Sequence, residues 1–412
     1  MIHTTMQYKK LVPEDSFIGQ YLEYMSVVET AEAYDFWCAM WAIGVECGRE
    51  VFVDRPNSSV YLNWYIILAA ESGTTRKSTA VSSITRLLDS NRSMLLTGKT
   101  SPEALELMLH ERSRKSGNAA ITFSVSELVS ILGREGYMSA MPGLLTDLYD
   151  SPKLRISPGT LKTGKMEQHN VYINFLSAST PSWLVTAINP SVIEGGFTSR
   201  VIFVVEDDRK RAIAWPTERE DGDTDRLSGL LKRTADRGRD IGPIAISQGG
   251  LRKFTKWYNS RASHNDPFQS SFEAREDDHL LRAAACLCIN DGTLEIQATH
   301  ITNAIKLIME CKRRANQLFG GNFSQSARLA DAVTRLREIL LEHGTDAIKH
   351  HDLQRKMQHR LDAKELKVLL NVMHESGMIQ IFDIIPKGKM YRATKAIEKF
   401  GVSSEILGKL NL

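Results

Sequence analysis

Residues 65–88 read YIILAAESGTTRKSTAVSSITRLL. A β-rich apolar run enters a Gly/Thr turn, passes Arg-Lys-Ser-Thr, and continues with Val81, Ile84, Leu87 and Leu88 at helical spacing. Strand, turn and helix in that order place backbone N–H groups at a helix N-terminus, where phosphate oxygens are held. Gly73, Thr74, Thr75, Arg76, Lys77, Ser78 and Thr79 are the candidate ATP-binding residues. Lys77 takes the β/γ-phosphate charge and Ser78 ligates Mg²⁺. The strict GxxxxGK[ST] pattern is not met: Arg76 stands at the last glycine position and Glu71 at the first. Only Gly73 is left to make the sharp turn. The competing reading is a plain strand–turn–helix with a solvated Arg-Lys pair.

Three further apolar runs follow: Ala120–Val125 (AITFSV), Val171–Leu176 (VYINFL) and Val201–Val205 (VIFVV). Alternating with helical stretches, they predict an α/β fold with a parallel sheet. The first ends in Ser126-Glu127, 50 residues after Lys77. Glu127 is the candidate general base and second metal ligand, although Ser126 stands where a further carboxylate is usual. The next run ends in Ser177, Ser179 and Thr180, and Thr180 is a candidate for holding the attacking water. The same hydroxyl ahead of Pro181 also suits a helix cap. Arg200, in GGFTSRVIFVVEDD, is a candidate finger onto a neighbouring subunit's nucleotide, or else the partner of a nearby carboxylate.

The order GTTRKST, SPEALELM, SVSEL, LLTDLYDSP, VYINFLSASTP, GGFTSRVIFVVE resembles a family of phage and mobile-element P-loop ATPases of replicative helicase or primase-helicase type. The SRVIFVV block is also similar to the arginine-finger segment of minichromosome-maintenance and related AAA+ helicases. Over residues 16–320 the resemblance implies an AAA+-like homo-oligomeric ring, with a hexamer as the expectation, that hydrolyses ATP between subunits and acts on single-stranded or forked DNA. It also implies a helical lid in which Arg282, within REDDHLLRAAACLC, contacts the γ-phosphate. An ordinary solvent-facing arginine is the alternative there. Residues 153–169 read as a β-hairpin, and ring helicases of this kind aim a basic hairpin at this point into the channel. Arg155, Lys162 and Lys165 are its candidate DNA contacts, riding on phosphates without reading bases.

Upstream, Phe17, Tyr21, Tyr24, Met25, Tyr34, Trp37 and Trp41 predict two helices joined near Glu29-Thr30 and stopped at Gly48, with their aromatics in a core. Downstream, Arg209–Gly242 is charge-dense and reads as a loop with a short helix. Residues 327–395 read helix, helix, helix, hairpin, the order of a winged helix, with Lys387, Lys389 and Arg392 on the wing. From 321 to 412 there are 15 basic and 11 acidic residues, so this module carries +4 and the remainder −1. The expected divisions are 1–59, 60–208, 209–320 and 321–412.

The whole chain of 412 residues carries 52 basic and 49 acidic residues, a balance that excludes a histone-like coat for nucleic acid. Cys38, Cys47, Cys286, Cys288 and Cys311 form no CxxC pair, which disfavours a zinc ribbon and a disulfide framework. His350, His351 and His359 have no metal-ligand spacing and read as surface residues. No secretory h-region or membrane-length apolar run is present, and a cytoplasmic location is the expectation. The leading reading is an ATP-driven DNA helicase or translocase. Its rival is an ATP-switched initiator or loader that binds DNA without unwinding it.

Overall fold

The computed structural model describes residues 6–394 except 74, 90, 133–139, 159–163, 189–191, 194, 207–211, 216–221, 262–265, 320–324, 344–345, 358–360, 362, 376 and 385–387. The chain divides into two compact units, Met1–Gly320 and Gly321–Leu412. In the first unit, helices Phe17–Met25 and Glu32–Cys47 precede strands β1 (Phe52–Arg55), β2 (Ser58–Tyr61) and β3 (Tyr65–Ala69). Helix Lys77–Thr85, β4 (Met94–Leu96), helix Pro102–Ser116 and β5 (Ala119–Val125) follow. Next come helix Met141–Tyr149, the hairpin strands β6 (Leu154–Ser157) and β7 (Met166–His169), β8 (Val171–Ser179), helix Pro181–Ala187 and β9 (Val201–Val205). The last part holds helix Asp223–Ile241, β10 (Pro243–Ile246), helices Gln248–Asn259, Pro267–Glu273 and Glu276–Asn290, β11 (Glu295–Ile296) and helix Ala298–Phe319.

Five strands form an all-parallel sheet in the order β4-β5-β8-β3-β9. In-register neighbours share a face. Ile66 and Leu68 stand beside Leu176 and Ala178 on one side and Ile202 and Val204 on the other. That face is buried with Phe17, Tyr21, Tyr34, Trp37, Trp41, Ala80, Val81 and Ile84 from the helices over it. The aromatics of residues 17–41 are therefore core, as their spacing predicts, and Gly48 ends their second helix at φ +65. Truncating a tryptophan buried this way costs about 3–5 kcal/mol. The opposite face carries Phe123 against Phe175, Phe175 against Tyr65 and Tyr65 against Tyr149, with Phe203 against Phe268 and Phe319.

Local signals explain the helix ends. Ser101 Oγ accepts from Ala104 N, Pro102 opens the helix, and Gly117 closes it in the left-handed region. Three expectations need correction. The apolar stretch Val60–Leu68 (VYLNWYIIL), which reads as one strand leading into the loop, is two strands, broken where Asn63 donates to Tyr149 O and Trp64 N donates to Asn174 Oδ1. The charge-dense segment holds a 19-residue helix, Asp223–Ile241, because Leu227, Leu231 and Ala235 recur every four residues and are buried. Residues 1–59 and 209–320 share the core of the sheet, and β1 and β2 join β10 and β11 in a second sheet, β11-β10-β1-β2.

In the second unit, helices Gln325–Glu342, His350–Met357 and Ala363–Glu375 combine with β12 (Ile348–Lys349), β13 (Ile379–Ile384) and β14 (Gly388–Ala393). The strands are antiparallel in the order β12-β14-β13. Val333, Leu336, Ile339, Leu340, Leu366, Leu369 and Met373 are among the residues of its own core. His350 is half-buried rather than free at the surface, with Nδ1 3.0 Å from Tyr391 Oη. Among the described residues no helix is long and apolar enough to cross a membrane.

Candidate functional site

The chain leaves β3 for the far edge of the sheet at β4, returns through β5 and β8, then passes β3 to reach β9. With right-handed crossovers, the connections after β3 and β8 diverge to opposite faces and open a crevice at the strands' carboxyl ends. The loop after β3 lies at this crevice. Tyr34 Oη donates to Ala69 O at 2.8 Å, and Thr75 Oγ1 donates to Tyr34 Oη at 3.4 Å, so a core tyrosine braces the loop from beneath. Gly73 adopts φ +79.

Arg76, at the glycine position of the usual motif, sits in the left-handed region at φ +49 and ψ +40 as the residue before helix Lys77–Thr85. For a non-glycine residue that conformation costs about 1–2 kcal/mol. The position thus keeps the backbone shape that a glycine provides while adding a guanidinium, which pairs with Glu29 at 3.2 Å. Lys77 Nζ donates to Ala70 O at 2.7 Å and Glu71 O at 3.1 Å. Burial lowers its pKa below the ordinary lysine value, opposed by Glu71. Ser78 is exposed and Thr79 half-buried; Thr74 lies outside the described residues.

Register places the other candidates along the same edge. Ala69 pairs with Ser179, and Val125 pairs with Ser177, so Glu127 falls level with Ser179 and Ala69. Two inter-strand spacings put Glu127 about 10 Å across the sheet from β3. Its side chain is exposed, and Ser126 beside it is exposed as well. Thr180 lies between them and caps its helix, its Oγ1 accepting from Trp183 N at 3.4 Å. Ser78 and Glu127 can supply two oxygen ligands to Mg²⁺, with nucleotide phosphates and water completing the shell. Among the described residues no group of three or more His, Cys, Asp or Glu could hold a metal without such help.

Arg200 and Arg282 lie at the other end of the sheet. Arg200 precedes Val201, which pairs with Tyr65 at the start of β3. Its Nη1 donates to Gly196 O at 2.8 Å, its Nη2 meets Asp150 Oδ2 at 3.4 Å, and only 13% of its side chain is exposed. Asp150 also takes a two-pronged contact from Arg275 at 2.6 and 2.8 Å. Burial raises the Asp150 carboxyl pKa, but Arg275 and then Arg200 outweigh it and hold it below the ordinary aspartate value.

Arg282 is not a lid arginine in this fold. Helix Glu276–Asn290 is buried on nearly all sides, and Arg282 points inward. Its Nε donates to Tyr61 O at 2.7 Å, its Nη1 to Tyr149 Oη, and its guanidinium lies over the Trp64 and Tyr149 rings. The length of β3, about 13 Å, separates it from the loop that Lys77 occupies. His279 beside it, pushed down to about 3 by burial and then by Arg282, is neutral and bonded through Nε2 to Ser199 O. Arg282→Ala leaves Tyr61 O and Tyr149 Oη without their donor, and should lower unfolding free energy by about 3 kcal/mol in urea denaturation. Nucleotide affinity of the folded fraction should stay at the wild-type value.

The hairpin before β8 is present, and β6 and β7 pair from Leu154–His169 to Ser157–Met166. Arg155, expected as a DNA contact on or near the hairpin tip, instead faces inward to Glu106 at 2.8 Å and Gln168 at 3.1 Å. Lys165 is exposed beside Glu167 at 3.3 Å, and Lys162 lies outside the described residues. In the second unit Lys389 is exposed, Arg392 donates to Gln380 at 3.0 Å, and Lys387 lies outside the described residues.

Sequence reading passed over the roles of Glu29 and Tyr34 beside the loop, Arg275, and the Glu206–Arg314 pair, 3.2 Å apart at the carboxyl end of β9. Glu206 N donates to Ala69 O, so this pair adjoins the end of the loop strand. A buried acid directly after a strand was the available signal. The chain matches no family model and no curated protein.

Proposed function

We propose that this chain is an AAA+-like P-loop ATPase that assembles into a ring, hexameric in the simplest case, and translocates on DNA. The observation that carries the reading is the row of Lys77, Thr180 and Glu127 at the carboxyl ends of three adjacent parallel strands. β8 separates the lysine strand from the glutamate strand, a span of about 10 Å. Lys77 and the first-turn N–H groups hold the phosphates, Ser78 holds the metal, Thr180 orients water, and Glu127 accepts its proton. A Mg²⁺ held by Ser78 and Glu127 would supply neutralisation of the phosphate charge. Arg200 cannot serve its own chain's nucleotide across the length of the sheet, so its service is to a neighbour.

DNA contacts fall to the hairpin and to the second unit. The latter's three helices and β12-β14-β13 sheet support a winged-helix reading, with Lys387, Lys389 and Arg392 on the wing. A Lys162→Ala/Lys165→Ala variant should lose DNA-stimulated ATPase and keep basal hydrolysis, and its salt slope should fall by roughly one per lost contact. Wild-type unwinding by that variant would exclude the hairpin. Ser126, in place of a second carboxylate, favours one alternative, an ATP-switched initiator or loader acting in the cytoplasm with little turnover. A fork-unwinding assay with ATP and Lys77→Ala as control separates the two: a motor opens the fork, a switch does not.

A further inference from the structure

Resting on the nucleotide reading above, we propose that Arg76 is a second phosphate-binding cation of the loop, held aside by Glu29 until a nucleotide triphosphate displaces that carboxylate. Glu29 lies in the turn joining the first two helices and is only 11% exposed, whereas Arg76 is 59% exposed. Its two oxygens do separate work. Oε1 accepts from the backbone N–H of Ile213 at 3.0 Å, and Oε2 accepts from Arg76 Nε at 3.3 Å and Nη2 at 3.2 Å. Charge-assisted pairs of this type close to about 2.7–2.9 Å when well made, so the Arg76 contact is a loose one. A phosphate offering several anionic oxygens can replace it, while Ile213 keeps Oε1 in place.

The backbone points the same way. A left-handed arginine at the helix N-cap persists against a glycine only where its side chain does something, and a surface pair to one oxygen is a small return. Arg76 adjoins Lys77, whose Nζ is itself turned onto loop carbonyls. Both cations therefore rest on protein oxygens and exchange them for phosphate together. The loop loses the second glycine and gains a planar donor that grips phosphate in two places.

The test measures affinity of the full-length protein for ATP with Mg²⁺, and for adenosine, by calorimetry. Glu29→Gln keeps an acceptor for Ile213 and removes the charge holding Arg76, so ATP should bind about threefold to fivefold tighter, with adenosine unchanged. That gain should vanish when Arg76→Gly is added. Arg76→Gly alone should weaken ATP about fivefold without lowering Tm, since glycine removes the left-handed strain. A merely structural pair would make Glu29→Gln bind ATP equally or worse, and that result overturns the proposal. So does unchanged ATP affinity in Arg76→Gly, which decides the matter even if Glu29→Gln does not fold. Wild-type protein that binds no ATP would instead remove the nucleotide reading, and the proposal with it.

Discussion

Lys77→Ala should abolish ATP hydrolysis, lowering the rate at least about 10³-fold, because the loop loses its compact cation opposite the β/γ oxygens. Arg76 does not replace it: it precedes the helix that Lys77 begins, so its guanidinium reaches the phosphates from a different position in the loop. Glu127→Gln should behave differently. Its amide still hydrogen-bonds water but accepts no proton, so nucleotide binding persists while turnover falls about 10²–10⁴-fold. Steady-state phosphate release and equilibrium ATP binding, measured on both variants, distinguish the two roles. Full hydrolysis by Lys77→Ala removes the P-loop assignment. Normal turnover by Glu127→Gln places the base elsewhere, and Asp150 is then no substitute, since it lies at the far edge bound to Arg275 and Arg200.

The second large effect is complementation. Arg200→Ala alone should lose about 10³-fold or more of ATPase, the usual weight of an arginine supplied across an interface. Mixed with Lys77→Ala, it should regain activity, because some interfaces then pair an intact Lys77 with a neighbour's intact Arg200. The resting geometry adds a condition. Arg200 is mostly buried and shares Asp150 with Arg275, so it has to exchange that carboxylate for a neighbour's phosphate. Mixed assemblies, verified by pull-down of differently tagged subunits, that recover no ATPase would leave Arg200 as a structural residue.

Much of this was legible in the letters. The apolar run at 65–69, the turn, and the helix starting at Lys77 are local patterns, and local patterns survive folding. The runs ending at Val125, Ser179 and Val205 are strands for the same reason, since both faces of a parallel strand are buried and the sequence stays apolar. β4 escaped notice because three residues, Met94–Leu96, give no period to detect. Helix Glu276–Asn290 misled for the opposite reason. Its Ala283, Ala284 and Ala285 permit close packing on every side, so the arginine expected to reach the γ-phosphate from a lid, or else to face solvent, is drawn inward to Tyr61 and Tyr149.

The sequence by itself determined the strands ending at Ala69, Val125, Ser179 and Val205, the loop with Lys77 and Ser78, the hairpin before β8 and the helix–hairpin order of the second unit. Only the tertiary structure decided which edge of the sheet each candidate occupies. Strand order brought Glu127 and Thr180 level with the loop, sent Arg200 and Arg282 to the opposite end, turned Arg155 inward to Glu106, and set Glu29 beside Arg76. The reason is physical. A residue's period reports which face of its own element is apolar, whereas its neighbours across the five-stranded sheet are chosen by pairings between residues 27 to 136 positions apart, and no local spacing carries that information.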